Sequence, residues 1–254
     1  MYLVFPTHAE LARYTSQKLK TLMLSAVPTT VGLATGSTME PVYANLIQSL
    51  QSAGPQDFKQ LVSFNLDEYV GLNRQHPQSY RYYMQQHLFD HIGLPDEQTF
   101  LPDGSCTDID EQCAWYSQAI QQRGGLDFQL LGIGTNGHIG FNEPGTPFDS
   151  RTHVVELSEQ TRIDNGRFFD DFAEVPTHAI TLGIADIMEA KEVWLLITGE
   201  HKAQTVLNYH RSAVDENMPA SVLKRHPNAH ILLDQAAATL LPAEVQTHYR
   251  TQAA

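Results

Sequence analysis

Residues 129–148 read QLLGIGTNGHIGFNEPGTPF, and this stretch decides how the rest of the chain is interpreted. An apolar run, residues 130–133, leads into three glycines, which are Gly132, Gly134 and Gly137. His138 follows at once, Glu143 comes shortly after, and the prolines at positions 144 and 147 exclude an ordinary helix beyond them. The stretch therefore predicts a strand whose carboxyl end opens into an active-site loop.

The same glycines spell G-x-G-x-x-G, the fingerprint of a dinucleotide site. That fingerprint requires a helix that begins within the loop, and the glycines and prolines after His138 are poor helix material. His138 and Glu143 are better explained as a proton-transfer pair, because neutral imidazole exchanges protons near pH 7 and a carboxylate on its other nitrogen fixes the tautomer. A hydrogen-bonded structural histidine is the alternative.

On both sides of this stretch, short apolar runs alternate with longer segments of helical periodicity. The predicted strands are Tyr2–Phe5, Thr30–Ala34, Leu61–Leu66, Phe128–Ile133, an edge strand His153–Leu157, Glu192–Thr198 and Ala229–Leu233. The predicted helices are Ala9–Leu24, Met39–Ala53, Ser79–Phe89, Asp108–Gln122, Gly183–Ala190, Lys202–His210 and a short one at Ala220–Leu223, and Ala179–Thr181 is ambiguous. This alternation predicts an α/β fold in three αβα layers, with a mostly parallel sheet, formed by one domain over residues 1–254.

In such sheets, binding sites collect at the carboxyl ends of the strands, and two more motifs fall there. The first is Thr35-Gly36-Ser37-Thr38, between a strand and a helix. A glycine turn and the free N–H groups of a helix N-terminus suit a phosphate. The alternative is that Ser37 only caps the helix, with Glu40 completing a capping box.

The second motif is the pair of acids Asp67 and Glu68, which follows the strand Leu61–Leu66 directly and precedes Tyr69. Successive side chains of an extended chain point in opposite directions, so we expect only one acid to face a central cleft. A carboxylate there could serve as a general base, and the alternative is a helix cap or loop acid.

Two basic residues are candidates to complete a phosphate site. Arg167 lies in the segment DNGRFF, and Lys202 opens a predicted helix just after a strand. A single Arg or Lys is more commonly a solvated charge, but the chain has only 16 basic residues, which favours a role for these two slightly.

The composition excludes several classes of partner. With 29 acidic against 16 basic residues the net charge is −13, which argues against nucleic acid as a partner. Two cysteines are too few for a disulfide framework or a cysteine-based zinc site. No segment reaches the ~18 apolar residues of a membrane span, and the N-terminus lacks the features of a signal peptide, so we expect a cytoplasmic protein.

Taken together, the segments LATGST, NLDEYVGL, HPQSY, GIGTNGHIGFNEPG, SRT, TRIDNGRFF, HAITLGI and GEHKA resemble the glucosamine-6-phosphate deaminases, in order and over essentially the whole chain. The resemblance implies a Rossmann-like central sheet, shared with phosphogluconolactonases and ribose-phosphate isomerases. It implies conversion of glucosamine 6-phosphate and water to fructose 6-phosphate and ammonia, a hydrolase-type reaction that requires no metal and no redox cofactor.

The resemblance also assigns roles to residues. Asp67 matches the base that moves the C2 proton to C1, His138 the residue that opens the sugar ring, and Glu143 the carboxylate that orients it. The phosphate site matches Thr35, Gly36, Ser37, Thr38, Arg167 and Lys202, and we expect Tyr69, Gly134 and Gly137 to line the substrate site. The polar segment 157–176 is a candidate lid, or else an ordinary pair of surface helices.

The chain departs from the family pattern in two places. Asn136 stands where many members carry Asp, so Glu143 is expected to bear more of the charge stabilisation of His138. The allosteric, hexameric members carry Arg-x-Lys after Ser-Arg-Thr, where this chain has His153-Val154-Val155 after residues 150–152. We therefore expect a non-allosteric enzyme and favour a monomer.

Two rival functions agree less well with the sequence. A 6-phosphogluconolactonase would share the fold, but its loop after Gly-His normally runs Ala-Ser-Leu-Phe-Pro, whereas this chain has Ile139-Gly140-Phe141-Asn142-Glu143-Pro144. A sugar-phosphate sensor that regulates transcription would carry an added DNA-binding helix-turn-helix. The first predicted strand begins at Tyr2, which we expect to leave no room for such a unit, and the charge is strongly acidic.

Overall fold

The structure, a computed structural model, describes residues 2–166, 169 and 171–248. Its strands are β1 (Tyr2–Phe5), β2 (Thr29–Leu33), β3 (Leu61–Asn65), β4 (Asp67–Tyr69), β5 (Thr99–Phe100), β6 (Phe128–Leu131), β7 (His153–Glu156), β8 (His178–Thr181), β9 (Val193–Ile197), β10 (Ala229–Asp234) and β11 (Gln246–His248). Its helices are α1 (His8–Met23), α2 (Glu40–Ser49), α3 (Tyr80–Met84), α4 (Asp90–Ile92), α5 (Ile109–Gln122), α6 (Glu159–Gly166), α7 (Ile184–Met188) and α8 (Ala203–Arg211). Short 3-10 helices span Pro55–Phe58, Asp96–Gln98, Phe172–Glu174, Glu200–Lys202, Pro219–Arg225 and Ala243–Val245.

Eight strands form the central sheet, in the order β11-β1-β10-β9-β6-β2-β3-β5. Every pairing between them is parallel, as predicted. The middle strands β2, β6 and β9 are buried along their whole length, because helices cover the sheet and the fold is a three-layer α/β arrangement. In the described ranges, none of the helices combines the length and the apolar character needed to cross a membrane.

The position of the site follows from the strand order. From β2 the chain moves outward to β3 and β5, and it then returns to β6 on the other side of β2. The order therefore reverses between β2 and β6, and such a switch point leaves a crevice at the carboxyl ends of the two strands. The loops 34–39 and 132–138 begin at those ends.

A second sheet has three antiparallel strands in the order β4-β8-β7. The predicted edge strand His153–Leu157 and the ambiguous Ala179–Thr181 both belong here, as β7 and β8, and not to the central sheet. β7 and β8 form a hairpin whose connection is the long segment 157–177, and the N–H of Leu157 closes its base by donating to the carbonyl of Thr177 at 2.8 Å.

Two predicted helices differ from the structure. The segment predicted as one helix, Ser79–Phe89, is α3 followed by a wider π-helical turn at Gln85–Phe89, after which α4 ends at Gly93 with φ 66°. The short helix at Ala220–Leu223 is part of a 3-10 helix, Pro219–Arg225. Proline at its start is compatible with either helix type, so periodicity does not separate the two.

Candidate active site

A cleft of about 1360 Å³ opens at the carboxyl ends of β2, β3, β6 and β9. Its lining contains ten of the residues predicted for the site, which are Thr35, Gly36, Ser37, Thr38, Asp67, Tyr69, Gly134, Asn136, His138 and Lys202. Glu143 stands behind His138 in contact with its ring. Gly137 is buried and is not among the lining residues of the cleft, and Arg167 lies outside the described residues.

The end of the cleft at α2 carries the predicted phosphate loop. Gly36 has φ 101°, a conformation that other residues rarely adopt, and its Cα faces open space. The residue that precedes α2 is Met39, which makes no side-chain capping bond, so the capping box of Ser37 and Glu40 is absent. The N-terminus of α2 is therefore open to a ligand in the cleft, as an anion site requires.

Lys202 joins two strand ends at this side of the cleft. Its Nζ donates to the carbonyl of Ile133 at 2.9 Å, which fixes the ammonium between the loop after β6 and the segment after β9. Thr38 and Thr198 approach each other across the same region, with their hydroxyl oxygens 3.4 Å apart. A cation and hydroxyl groups thus stand beside a helix N-terminus, which suits a phosphate group.

The two adjacent acids have different roles. Asp67 lines the cleft although it is buried, and burial, together with the charge of Glu68, raises the pKa of its carboxyl from 3.8 to about 8. Glu68 points the other way and accepts backbone N–H bonds of 2.9 Å from Tyr69, Tyr80 and Arg81. The expectation that only one acid faces the cleft is confirmed, and Glu68 caps the start of α3.

His138 and Glu143 lie together as a pair. Nδ1 of His138 faces Oε1 of Glu143 at 3.5 Å, which is too long for a well-formed hydrogen bond, and this buried nitrogen has no hydrogen-bond partner among the described residues. Asn136 donates its amide to Oε2 of Glu143 at 2.6 Å, and Thr161 donates its hydroxyl to Oε1 at 2.6 Å. Burial alone would raise the pKa of Glu143, but the contacts with His138, Thr161 and Asn136 outweigh burial and lower the pKa to about 2. Glu143 is therefore an anion at neutral pH.

Two glycines in the loop after β6, Gly134 and Gly137, leave room for neighbouring side chains. A Cβ on Gly134 would lie 2.2 Å from Cε1 of His138, so the imidazole rests directly on this backbone. A Cβ on Gly137, whose φ is 90°, would lie 2.0 Å from Sδ of Met218. No helix begins between Gly132 and Ser150, all of which the structure describes, and this loop therefore lacks the geometry of a dinucleotide fingerprint.

Sequence reasoning missed several residues of the site. Thr161 and Ser158, at the start of α6, contact Glu143, and three histidines line the cleft, which are His8, His87 and His201. A serine just before a helix, such as Ser158, is a signal for a cap, and only the folded chain shows that Thr161 reaches the carboxylate of Glu143. Over the described residues, no three His, Cys, Asp or Glu side chains are grouped closely enough to hold a metal ion.

The arrangement can carry out proton transfer on a phosphorylated small molecule. One wall offers a carboxyl group whose pKa lies close to neutrality, and the other offers an imidazole backed by a carboxylate anion. Groups of this kind suit general acid–base catalysis. Aromatic side chains of Tyr69, Tyr80 and Phe141 pack together beside Asp67, with ring centroids 4.9–6.1 Å apart.

The chain is similar to known proteins over nearly its full length. Residues 6–232 match the family described as glucosamine-6-phosphate isomerases/6-phosphogluconolactonase. The glucosamine-6-phosphate deaminase of Shouchella clausii is 50% identical over 229 residues, which are 89% of this chain and 92% of that protein. The corresponding deaminase of a Geobacillus species is 47% identical over 238 residues, 92% of this chain and 94% of that protein.

Solved structures agree with this relationship. A monomeric glucosamine-6-phosphate deaminase superposes with a TM-score of 0.88 at 40% identity and covers 94% of this chain and 100% of its own. A 6-phosphogluconolactonase from Trypanosoma cruzi has the same fold, with a TM-score of 0.76 at 19% identity over 94% of this chain and 96% of its own. The resemblance found in the sequence motifs is thus confirmed, and the chain belongs to the family of glucosamine-6-phosphate isomerases and 6-phosphogluconolactonases.

Proposed function

We propose that the chain is a glucosamine-6-phosphate deaminase, which converts glucosamine 6-phosphate and water into fructose 6-phosphate and ammonia. The observation that carries the proposal is the pairing, across one cleft, of a buried Asp67 whose pKa is raised to about 8 with a His138 that Glu143 orients. The deaminases that are about half identical to the chain support it. The reaction is an isomerisation coupled to hydrolytic loss of the amine.

The first step is ring opening. The C2 hydrogen becomes acidic only when the pyranose opens to an aldehyde, which needs a proton donated to O5 and one removed from O1. His138 serves both transfers in this proposal, because an imidazole can accept and donate in turn. Glu143 faces Nδ1 at 3.5 Å, and when this distance closes to a hydrogen bond in the substrate complex, the other ring nitrogen is left available to the sugar.

The second step moves a proton between neighbouring carbons. Asp67 takes the proton from C2 and returns it to C1, and the amine at C2 is then lost to water as ammonia. A carboxylate with a raised pKa is a stronger base than an ordinary aspartate, so burial of Asp67 favours proton abstraction. Because only the ionised carboxylate accepts the proton, turnover should rise with pH through the pKa of Asp67.

The phosphate is held by Thr35, Gly36, Ser37 and Thr38 at the N-terminus of α2 and by Lys202. A role for Arg167 rests on the sequence alone, because this residue lies outside the described residues. Anchoring the phosphate keeps the open sugar chain in register between His138 and Asp67. Residues from the first and last quarters of the chain meet in this one cleft, which supports a single catalytic domain over residues 1–254.

The enzyme acts without allosteric activation, and as a monomer. Where the allosteric members are expected to carry Arg and Lys, this chain has His153 and Val155, and Val155 packs against an apolar cluster. The guanidinium of Arg151 is engaged by Asp186 at 2.8 Å and by Glu189, so it is not free to bind a phosphate. The similar deaminase of known structure that is described as monomeric supports the oligomeric state proposed here.

A direct assay tests the function. Purified protein is mixed with glucosamine 6-phosphate, and the release of both fructose 6-phosphate and ammonia is measured, with hydrolysis of 6-phosphogluconolactone as the comparison. We expect equal amounts of the two products and no lactone hydrolysis above the uncatalysed rate. Lactone hydrolysis without ammonia release would instead assign the chain to the lactonase branch of the family.

A further inference from the structure

Glu143 is bound by side chains from two different parts of the chain. Asn136, in the loop after β6, holds Oε2, and Thr161, on α6, holds Oε1, both at 2.6 Å. Oε1 is also the oxygen that faces Nδ1 of His138. The carboxylate is thus fixed at both oxygens, and the bond on the histidine side comes from the helix that starts the candidate lid.

The direction of the Thr161 bond is set by its neighbour. The hydroxyl of Ser158 lies 2.9 Å from Oγ1 of Thr161 and accepts the backbone N–H of Thr161 at 3.2 Å. When Ser158 donates to Oγ1, the hydroxyl hydrogen of Thr161 is left for Glu143, which as an anion can only accept. Such a chain of bonds strengthens each member, and Thr161 is only 7% exposed, which limits the competition from water.

Helix α6 also forms part of the cleft. Thr161 and Ile163 of this helix line the cleft, and so does Phe169, which lies beyond the end of the helix. The ring of Phe169 contacts that of Tyr69, with centroids 6.3 Å apart. The segment 157–177 that carries these residues is pinned at its base by the pairing of β7 with β8. One element therefore contacts the cleft and the carboxylate behind His138.

We propose that Thr161 is a positioning residue for ring opening, because its hydroxyl turns Oε1 of Glu143 toward Nδ1 of His138. Since Thr161 belongs to α6, the placement of this helix over the substrate and the orientation of the carboxylate are set together. Without the hydroxyl, Oε1 of Glu143 keeps only the longer contact with the hydroxyl of Ser158, at 3.4 Å, and the carboxylate can pivot about its short bond to Asn136. The proposal rests on the proposed deaminase function.

The first test replaces the hydroxyl without changing the shape of the side chain. We expect Thr161→Val to lower kcat by about 10- to 100-fold while KM changes by about twofold or less, because orientation and not binding is lost. Thr161→Ser retains the donor and should recover most of the rate. Glu159→Ala, an exposed position on the same helix, is the control and should match the wild type. Normal kcat in Thr161→Val would overturn the proposal.

The second test asks whether Thr161 acts through Glu143. In a Glu143→Gln background, Thr161→Val should cost about twofold or less, because the group that it positions has already been replaced. An equal fold-loss in both backgrounds would show that Thr161 acts elsewhere and would overturn the proposal. Melting temperatures identify variants that fold poorly, and Thr161→Ala is the second variant for that case. Wild-type protein that releases no fructose 6-phosphate would overturn the proposed function as well, whereas normal wild-type turnover with an unaffected Thr161→Val would overturn this inference alone.

Discussion

Asp67 combines burial with a position beside a second acid, and both raise its pKa, to about 8 from an ordinary value of 3.8. Between these two values the folded chain holds a proton that the unfolded chain has lost. The free energy of unfolding therefore falls as the pH rises from about 4 to about 8. Above that range the folded protein carries the full destabilisation that comes from a buried, ionised Asp67. The base thus gains strength at the expense of stability, a common compromise at active sites.

This argument predicts opposite effects of Asp67→Asn on activity and stability. We expect turnover to fall by about 10²–10⁴-fold, the usual contribution of a general base. The melting temperature should exceed that of the wild type, by a margin that grows from about pH 5 to about pH 9, because the amide is never charged. Differential scanning calorimetry across this range is the measurement. Asp90→Asn, at an exposed position, should show no such trend, and a variant that melts below the wild type at alkaline pH would contradict the argument.

A second prediction concerns Gly134, which lies against the ring of His138. The Cβ of Gly134→Ala would meet three atoms of the imidazole of His138 at 2.2–2.4 Å, so the ring must move. We expect kcat to fall by about 100-fold, since small displacements of a catalytic group are costly, and the overall fold to persist. Gly54→Ala is a matched control, because its Cβ would meet nothing and its φ of −117° is ordinary. Steady-state kinetics decide the outcome, and equal losses in both variants would contradict it.

Helix α3 begins against the carboxylate of Glu68, whose oxygens accept the N–H groups of Tyr80 and Arg81. The first turn of a helix has unsatisfied donors, and these are buried. We expect Glu68→Ala to lower the free energy of unfolding by about 1–3 kcal/mol, the cost of buried donors left without acceptors. Urea denaturation measures this value. Glu97→Ala, at an exposed position, is the control and should change the free energy of unfolding little. If Glu68→Ala is as stable as the wild type, water has replaced the carboxylate as the acceptor for the N–H groups of α3, and the prediction is wrong.

The sequence predicted some elements better than others for physical reasons. β9 is apolar throughout, so the local sequence alone predicts a buried strand there. β8 was ambiguous because its partner β4 lies more than 100 residues away, and no local pattern reports that pairing. In the site, Asp67 lies just beyond the end of β3 and His138 lies in the glycine-rich loop after β6, and the sequence predicted both. Thr161 was not predicted, because only the folded hairpin brings its hydroxyl to Glu143.

For the whole molecule, we predict hyperbolic kinetics for a monomer. Rate against glucosamine 6-phosphate should show no sigmoidicity, and N-acetylglucosamine 6-phosphate should not activate the enzyme, because Arg151 is already bound by Asp186 and Glu189. Sedimentation velocity at assay concentration should give a single species near the chain mass of 28.4 kDa. Strong activation by that ligand, or a cooperative hexamer, would refute the prediction.

The hairpin of β7 and β8 has a consequence for how this fold can diverge. Thr181 pairs with Asp67 on one side and with His153 on the other, so the register of the base does not depend on the length of the excursion between the two hairpin strands. Lengthening a loop with fixed ends is inexpensive, about 0.6 kcal/mol for each doubling. Insertions and deletions within 171–176, beyond the residues of this segment that line the cleft, should therefore be tolerated during evolution while the proton-transfer chemistry is inherited unchanged.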